Sequence, residues 1–483
     1  MNLILSFLGI LLSISAFSQS LENRVLVIRN TNSSVSMAVV DDYMNRRNVT
    51  KFLNINCIDS AINSTSEFIS FNDFNIQISN PIKNYLITHP EIDFIVLTKG
   101  IPIKIFGAPN KPYGGDCTVD SLIASLDYNT NINSSIVDFI LPENATFFTG
   151  QAYANKFWNS SIRFSHAEFG GYLVTRLDGY TQADAIALTT RSLEAEININ
   201  NINNGKILLD ACGSFGFDNN FTIPTSIFPT NYVAGQTIFI TDDYQYSNFN
   251  SDILLAKNLL TAKGIQVQYD DNANFVGNIS NLNGYVSWGS NDTNYDSNSY
   301  NTLAFIAGAI AETAVSTGAR TFLQESNGQS LIASLISQGV TGVKGYAIEP
   351  LLLGVGSPSI MFDRYSSGWT LAESFYASAK LIGWMDIMIG DPICRAYANN
   401  LTIKNYETDN KFSVYPNPSS DFISINSNLI SNIIVFNILG NKVLEIENYQ
   451  QNNKIDVSKL ENGIYFISIN NIYNSKTLKF IKK

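Results

Sequence analysis

The sequence predicts an α/β protein with an open, mostly parallel sheet and flanking helices, followed by a small all-β sandwich. Two observations carry this. Short β-branched runs alternate with helical runs from Arg24 to about residue 400, the order that parallel strands with helical crossovers require. From Lys411 to Lys483 the helical runs stop and the charge balance turns to +3, against -14 for everything before it. We divide the body into two α/β halves, 24–218 and 233–400, with one large sheet as the alternative, and place the sandwich at 411–483.

The elements follow in order. VLVI at Val25 reads as the first strand, Val39 to Arg46 as a helix, and FLNI at Phe52 as the next strand. A helix over Ile76 to Ile87, the strand FIVL at Phe94, a helix near Val119 to Leu126 and the strand YLVT at Tyr172 continue the alternation. Residues Gln182 to Ile197 place Ala183, Ala187, Leu188 and Leu193 on one helical face, as packing on a sheet requires. The second half repeats the order with a strand at Thr237 to Ile240, a helix at Asp252 to Ala262, and strands at Ile265 to Tyr269 and Tyr285 to Trp288. In the tail, five short alternating or branched runs between Phe422 and Ile481 read as antiparallel strands, with Gly440-Asn441 as a tight hairpin turn. An immunoglobulin-like sandwich is the expected outcome.

Composition narrows the function classes. A net charge of -11 repels phosphate backbones and anionic lipid, so nucleic acid is not an expected partner. Residues 3 to 17 form an uncharged apolar run, with Ala16 and Ser18 placed for cleavage, which reads as a signal peptide over residues 1–18. No later run is long enough to span a bilayer, so no integral membrane span is expected. Only His89 and His166 are available as imidazoles, and Cys57, Cys117, Cys212 and Cys394 include no CxxC pair. Paired disulfides and buried free thiols both remain open for these cysteines.

In open parallel sheets ligands bind beyond the carboxyl ends of the strands. The residues that follow the strands are Asp242 and Asp243, Asp270 and Asp271, and Ser290 and Asp292 in the second half, Asp210 near the boundary, and Asn30, Ser33, Lys99, Arg176 and Asp178 in the first. Carboxylates gathered there could hold Ca²⁺ or Mg²⁺ through oxygen ligands, with Asp242, Asp243 and Asp270 as the candidate ligands. The competing account is that aspartate favours turns and helix caps. Both histidines precede strands, which puts them at the amino-terminal edge, away from such a site.

The tail carries a specific pattern. FSVYPNP at Phe412 to Pro418, IIVFNILGNKV from Ile433, LENGIYFISI from Leu460 and the closing KTLKFIKK resemble the type A sorting domain of the type IX secretion system. The resemblance implies that Tyr415, Pro416, Asn417, Pro418, Gly463, Lys482 and Lys483 belong to an export address. Its partners would be the Sec translocon and the type IX machinery, with attachment to surface glycolipid after sorting. The body resembles an uncharacterised bacterial family through LVIRNTNSSVSMAVVDDYMNRRNV, IVLTKGIPIKI, GYVSWGSND, VKGYAIEP and LIGWMDIMIGDPICRAY; that family supplies no activity. A fainter similarity to gingipain-type cysteine peptidases, of caspase-like fold, rests on the WGS and GDP motifs. Here the turn holds Ser290 where those enzymes carry histidine, and Ala314 to Arg320 lacks cysteine. The sequence thus points to a secreted or surface protein with a polar-ligand or cation site at the strand ends; a secreted hydrolase is the alternative.

Overall fold

The computed structural model describes residues 20–128, 150–197, 204–225, 245–272, 274–325, 327–398, 413–426, 431–449, 453–470 and 475–483, with the backbone of 136–139 and 238–240. Residues Met1–Thr402 form one compact unit and Ile403–Lys483 another. The signal-peptide segment and the pair Asp242 and Asp243 lie outside the described residues.

The body is built on one ten-stranded sheet. In chain order its strands are β1 (Val25–Asn30), β2 (Phe52–Ile55), β3 (Phe94–Thr98), β4 (Leu173–Leu177), β5 (Lys206–Asp210), β6 (Val267–Asp270), β7 (Leu282–Ser287), β8 (Phe305–Thr313), β9 (Gly342–Tyr346) and β10 (Asp386–Gly390). Their spatial order is β6-β5-β7-β8-β9-β10-β4-β3-β1-β2. Within β2, β1, β3, β4 and β10 every pairing is parallel, and so it is within β6, β5, β7, β8 and β9. The two sets meet antiparallel at β9 and β10, where Tyr346 faces Asp386 and Gly342 faces Gly390. The one large sheet therefore consists of two parallel sets pointing in opposite directions, and the sets cross the expected boundary: Lys206–Asp210 joins the strands of the second half and Asp386–Gly390 those of the first.

This seam changes the geography that the sequence suggests. The carboxyl ends of the first half, with Asn30, Lys99 and Asp178, lie at the opposite end of the sheet from those of the second half, with Asp210, Asp270 and Ser287. The amino-terminal edge of the first half, near His166, shares its end with the carboxyl ends of the second. The strand Ile238–Ile240 is not in the large sheet at all: it pairs with Ile136–Phe139 in a separate four-stranded sheet. Asp242 and Asp243 thus follow a strand outside the main sheet.

Most helices form where the apolar period predicts them. Tyr246–Ala262 buries Ile253 and Ala256, whereas Gln182–Ile197 buries Ala185, Leu188, Ser192 and Ala195, so of the expected face only Leu188 is buried, with Ala183 exposed and Ala187 and Leu193 half-buried. The helix that begins at Ser34 is capped by the Ser33 hydroxyl, which accepts from the Ser36 amide, satisfying an amide that a helix start leaves without a partner. The middle strands are buried on both faces, as parallel strands covered by helices must be.

The C-terminal unit consists of antiparallel sheets of three and four strands around Ile423, Val435, Tyr449, Ile467 and Phe480. The five predicted strands form, together with two shorter ones at Ser413–Tyr415 and Ile455–Asp456. In the hairpin turn Gly440 takes the positive φ, +81°, while the Asn437 side chain accepts from Leu439 and Asn441.

Candidate ligand cleft at the carboxyl ends of the second half

The residues chosen from strand ends separate into two groups with different roles. In the first half, Arg176 is wholly buried and donates to Asp120 at 2.6 Å and to the carbonyls of Ile101 and Pro102 at 2.6 and 2.9 Å. Lys99 Nζ lies 3.3 Å from Asp178 and donates to the carbonyls of Gly179 and Phe322. Burial pushes the Asp120 carboxyl up, and the Arg176 charge opposes this. These four side chains pair with each other and with loop carbonyls, so their observed work is to pin the loops after β3 and β4. Asn30 does the same, bridging Cys57 and Gly100.

In the second half Asp242 and Asp243 lie outside the described residues, and the described acids each serve their own chain. Asp270 accepts from the Asn272 amide at 2.8 Å and Asp292 from the Asn294 amide at 2.7 Å, each closing a turn on its own chain. Ser290 exchanges hydrogen bonds with Ser330. Among the described residues no group of three or more His, Cys, Asp or Glu side chains is placed to hold a metal ion. Asp210 is buried and accepts from the Val276 amide; burial first, then the nearby Asp292 and Asp270 charges, push its carboxyl up to about 8.

A cleft of about 470 Å³ opens beside these residues. One wall is aromatic. Trp288, which directly follows β7, is held by its indole N–H donating at 2.8 Å to Asn250, whose own amide donates to the carbonyls of Cys212 and Gly216. Phe215 stands edge-on to Trp288 with ring centroids 4.7 Å apart, and Tyr246, 53% exposed at the start of its helix, completes the wall. The other wall is the segment after β8, with Ser316, and the segment after β9, with Glu349 and Leu351. Leu351 has a φ of +60°, a conformation costly for a branched side chain, and the Glu349 carboxylate accepts from its amide at 2.9 Å. The Tyr246 hydroxyl and the Ser316 hydroxyl make no hydrogen bond to another described residue.

Among the described residues no histidine, cysteine, lysine or arginine lines this cleft, and Glu349 is the one carboxylate in the lining. Such a set can bind and orient a polar ligand with an apolar face, but it lacks a paired acid and base. His166 stacks on Tyr172, with Nδ1 2.8 Å from the Gly171 carbonyl, and His89 stacks on Tyr85, with Nδ1 2.8 Å from that residue's carbonyl. Both imidazoles are thus engaged away from the cleft, although His166 lies at the same end of the sheet. All four cysteines are free and buried. Burial pushes the Cys57, Cys117 and Cys394 thiols up to about 12, which leaves them protonated and unreactive. Trp288, Trp369 and Trp384 are all buried. Asp391 of the GDP motif is a buried ion-pair partner of Arg47, which also holds Glu196 at 2.7 Å.

Glu349 could have been found by the strand-end test, since it follows β9 by three residues. Tyr246 could not, because its helix follows a strand of another sheet.

Comparison with known proteins bears mainly on the tail. Residues 413–483 match the model of the secretion system C-terminal sorting domain. The sorting domain directs the protein by type IX secretion to the cell surface or the extracellular space. Among the described residues no helix is long and apolar enough to cross a membrane. No curated protein matches the chain. A solved structure described as "Structure of Protease" is 10% identical over 96% of this chain and 98% of that one, with a TM-score of 0.36; at that score the likeness carries no argument.

Proposed function

We propose that this secreted or surface protein is a ligand-binding protein, and that its ligand is a polar molecule with an apolar face that enters the cleft between Trp288 and Glu349. The observation that carries the reading is the cleft itself: an aromatic wall that ends in the Tyr246 hydroxyl, opposite the Ser316 hydroxyl and the Glu349 carboxylate, at the carboxyl ends of the second half, where parallel sheets bind ligands. A thiol- or imidazole-dependent hydrolase has less support than binding, because the cysteine and histidine side chains of the described residues lie outside the cleft lining. Passage through the Sec translocon and attachment to surface glycolipid complete the route we propose.

Saturation-transfer NMR of the full chain with a library of sugars, nucleosides and short peptides tests this. At least one binder should weaken in both Tyr246→Ala and Glu349→Gln; if every binder were indifferent to both changes, the site would lie elsewhere. A Ca²⁺ or Mg²⁺ ion at Asp270 is tested separately by melting with millimolar cation or EDTA. A rise in Tm by cation that Asp270→Asn abolishes would support the ion, because a ligand of the folded state alone stabilises it. Identical melting in all conditions would argue against it.

A further inference from the structure

A second cleft, of about 430 Å³, lies between residues 64–68 and Lys104 of the first half and residues 320–325 of the second. The Phe322 amide at its back donates to Glu67, and the Phe322 carbonyl accepts from Lys99, the residue after β3. The floor consists of two charged side chains that are almost wholly buried. Glu67, 2% exposed, uses one carboxylate oxygen to accept from Phe322 and from the Thr321 hydroxyl. Its other oxygen makes no hydrogen bond to a described residue. Lys104 donates once, at 2.7 Å to the Arg320 carbonyl, and lies 3.9 Å above the Phe68 ring, so its remaining N–H groups are free for a ligand. Phe68, 38% exposed, and Leu323 supply the apolar sides, and Thr65 a hydroxyl at the rim.

We propose that this cleft binds an uncharged sugar, whose neighbouring hydroxyls donate to Glu67 and accept from Lys104 while its C–H face rests on Phe68 and Leu323. An anion would meet Glu67 and Glu325, and a cation would meet Lys104 and Arg320. A diol satisfies a bare carboxylate oxygen and a spare ammonium N–H at once, without bringing a charge into the cleft. A zwitterion of amino-acid size is the rival occupant, and glycine tests for it.

Isothermal titration calorimetry of the full chain with glucose, mannose, galactose and N-acetylglucosamine tests the proposal. At least one should bind with one site, and its affinity should fall about tenfold or more in Glu67→Gln and in Lys104→Met, since each removes a hydrogen bond to a charged group. Should the floor variants misfold, the rim variants Phe68→Ala and Thr65→Val must weaken the same sugar. Tyr246→Ala and Glu349→Gln, in the other cleft, should leave it unchanged. Failure of all four sugars to bind, binding that survives the Phe68 and Thr65 changes, loss of binding in the Tyr246 and Glu349 variants, or displacement by glycine would each overturn the proposal.

Discussion

Asp210 sits at the end of a strand, and its environment makes it a titrating group near neutral pH. A carboxyl with an ordinary value of 3.8 that is pushed up to about 8 in the folded protein holds a proton that the unfolded chain has already lost. Its contribution to stability is full below 3.8 and is lost as pH rises through about 8. Asp210→Asn keeps an oxygen for the Val276 amide and removes the titration. The variant should be more stable than the parent at about pH 9 by roughly 2–4 kcal/mol, with a smaller difference at about pH 5. Parallel pH profiles in urea unfolding would show that the carboxyl is ionised in the fold. Arg47 is the converse case, a charge whose removal strands another. Asp391 is wholly buried between the Arg47 guanidinium and the Tyr43 hydroxyl. Arg47→Met should cost about 3–5 kcal/mol because it leaves that carboxylate uncompensated. A loss under about 1 kcal/mol would mean that Asp391 is protonated and needs no partner. Aspartates after strands were legible in the sequence, but their use was not. Turn closure by Asp270 and metal ligation by Asp270 share the same local pattern, and only the position of other side chains separates them.

At the scale of elements, the sorting domain shows which motif residues are structural. The Asn417 amide donates at 2.8 Å to the Lys479 carbonyl and its oxygen accepts at 2.9 Å from the Ile481 amide, so the YPNP segment is laced to the last strand. Asn417→Ala should lower the stability of this domain by about 1–2 kcal/mol, the cost of leaving strand groups without partners. Gly463 differs: a Cβ built on it meets nothing within 4 Å, and its φ is not in the left-handed region. Gly463→Ala should therefore leave the melting of the domain unchanged, within about 0.5 kcal/mol. A large loss would reveal a backbone requirement there. If the variant melts normally yet is no longer exported, the glycine acts in recognition by the machinery. The strands of this domain were legible because each alternates between a buried and an open face. The pair at Ser413–Tyr415 and Ile455–Asp456 escaped because two or three residues carry too little pattern.

For the whole molecule, the lesson lies in strand direction. Alternating strands and helices predicted parallel strands, and each set is parallel, but nothing in a periodic pattern says that one set is reversed or that Lys206–Asp210 and Asp386–Gly390 exchange sides. The antiparallel seam between β9 and β10 arises because β10 is reached after the helices Pro358–Ser366 and Leu371–Ala377 and pairs next to β4 from the first half. That reversal gives the body two carboxyl ends, one at each end of the sheet. Export rests on the tail: a chain lacking residues 413–483 should disappear from the culture medium and the cell surface while the precursor accumulates inside, and normal export without the tail would remove its role. The central claim, that the body binds a polar ligand at the carboxyl ends of its second half, is tested most directly by soaking crystals of the full protein with a library of small polar and aromatic fragments. We expect fragments to gather in the cleft with a face on Tyr246 and a hydrogen bond to Ser316 or Glu349. Fragments scattered over the surface with that cleft empty would contradict the account.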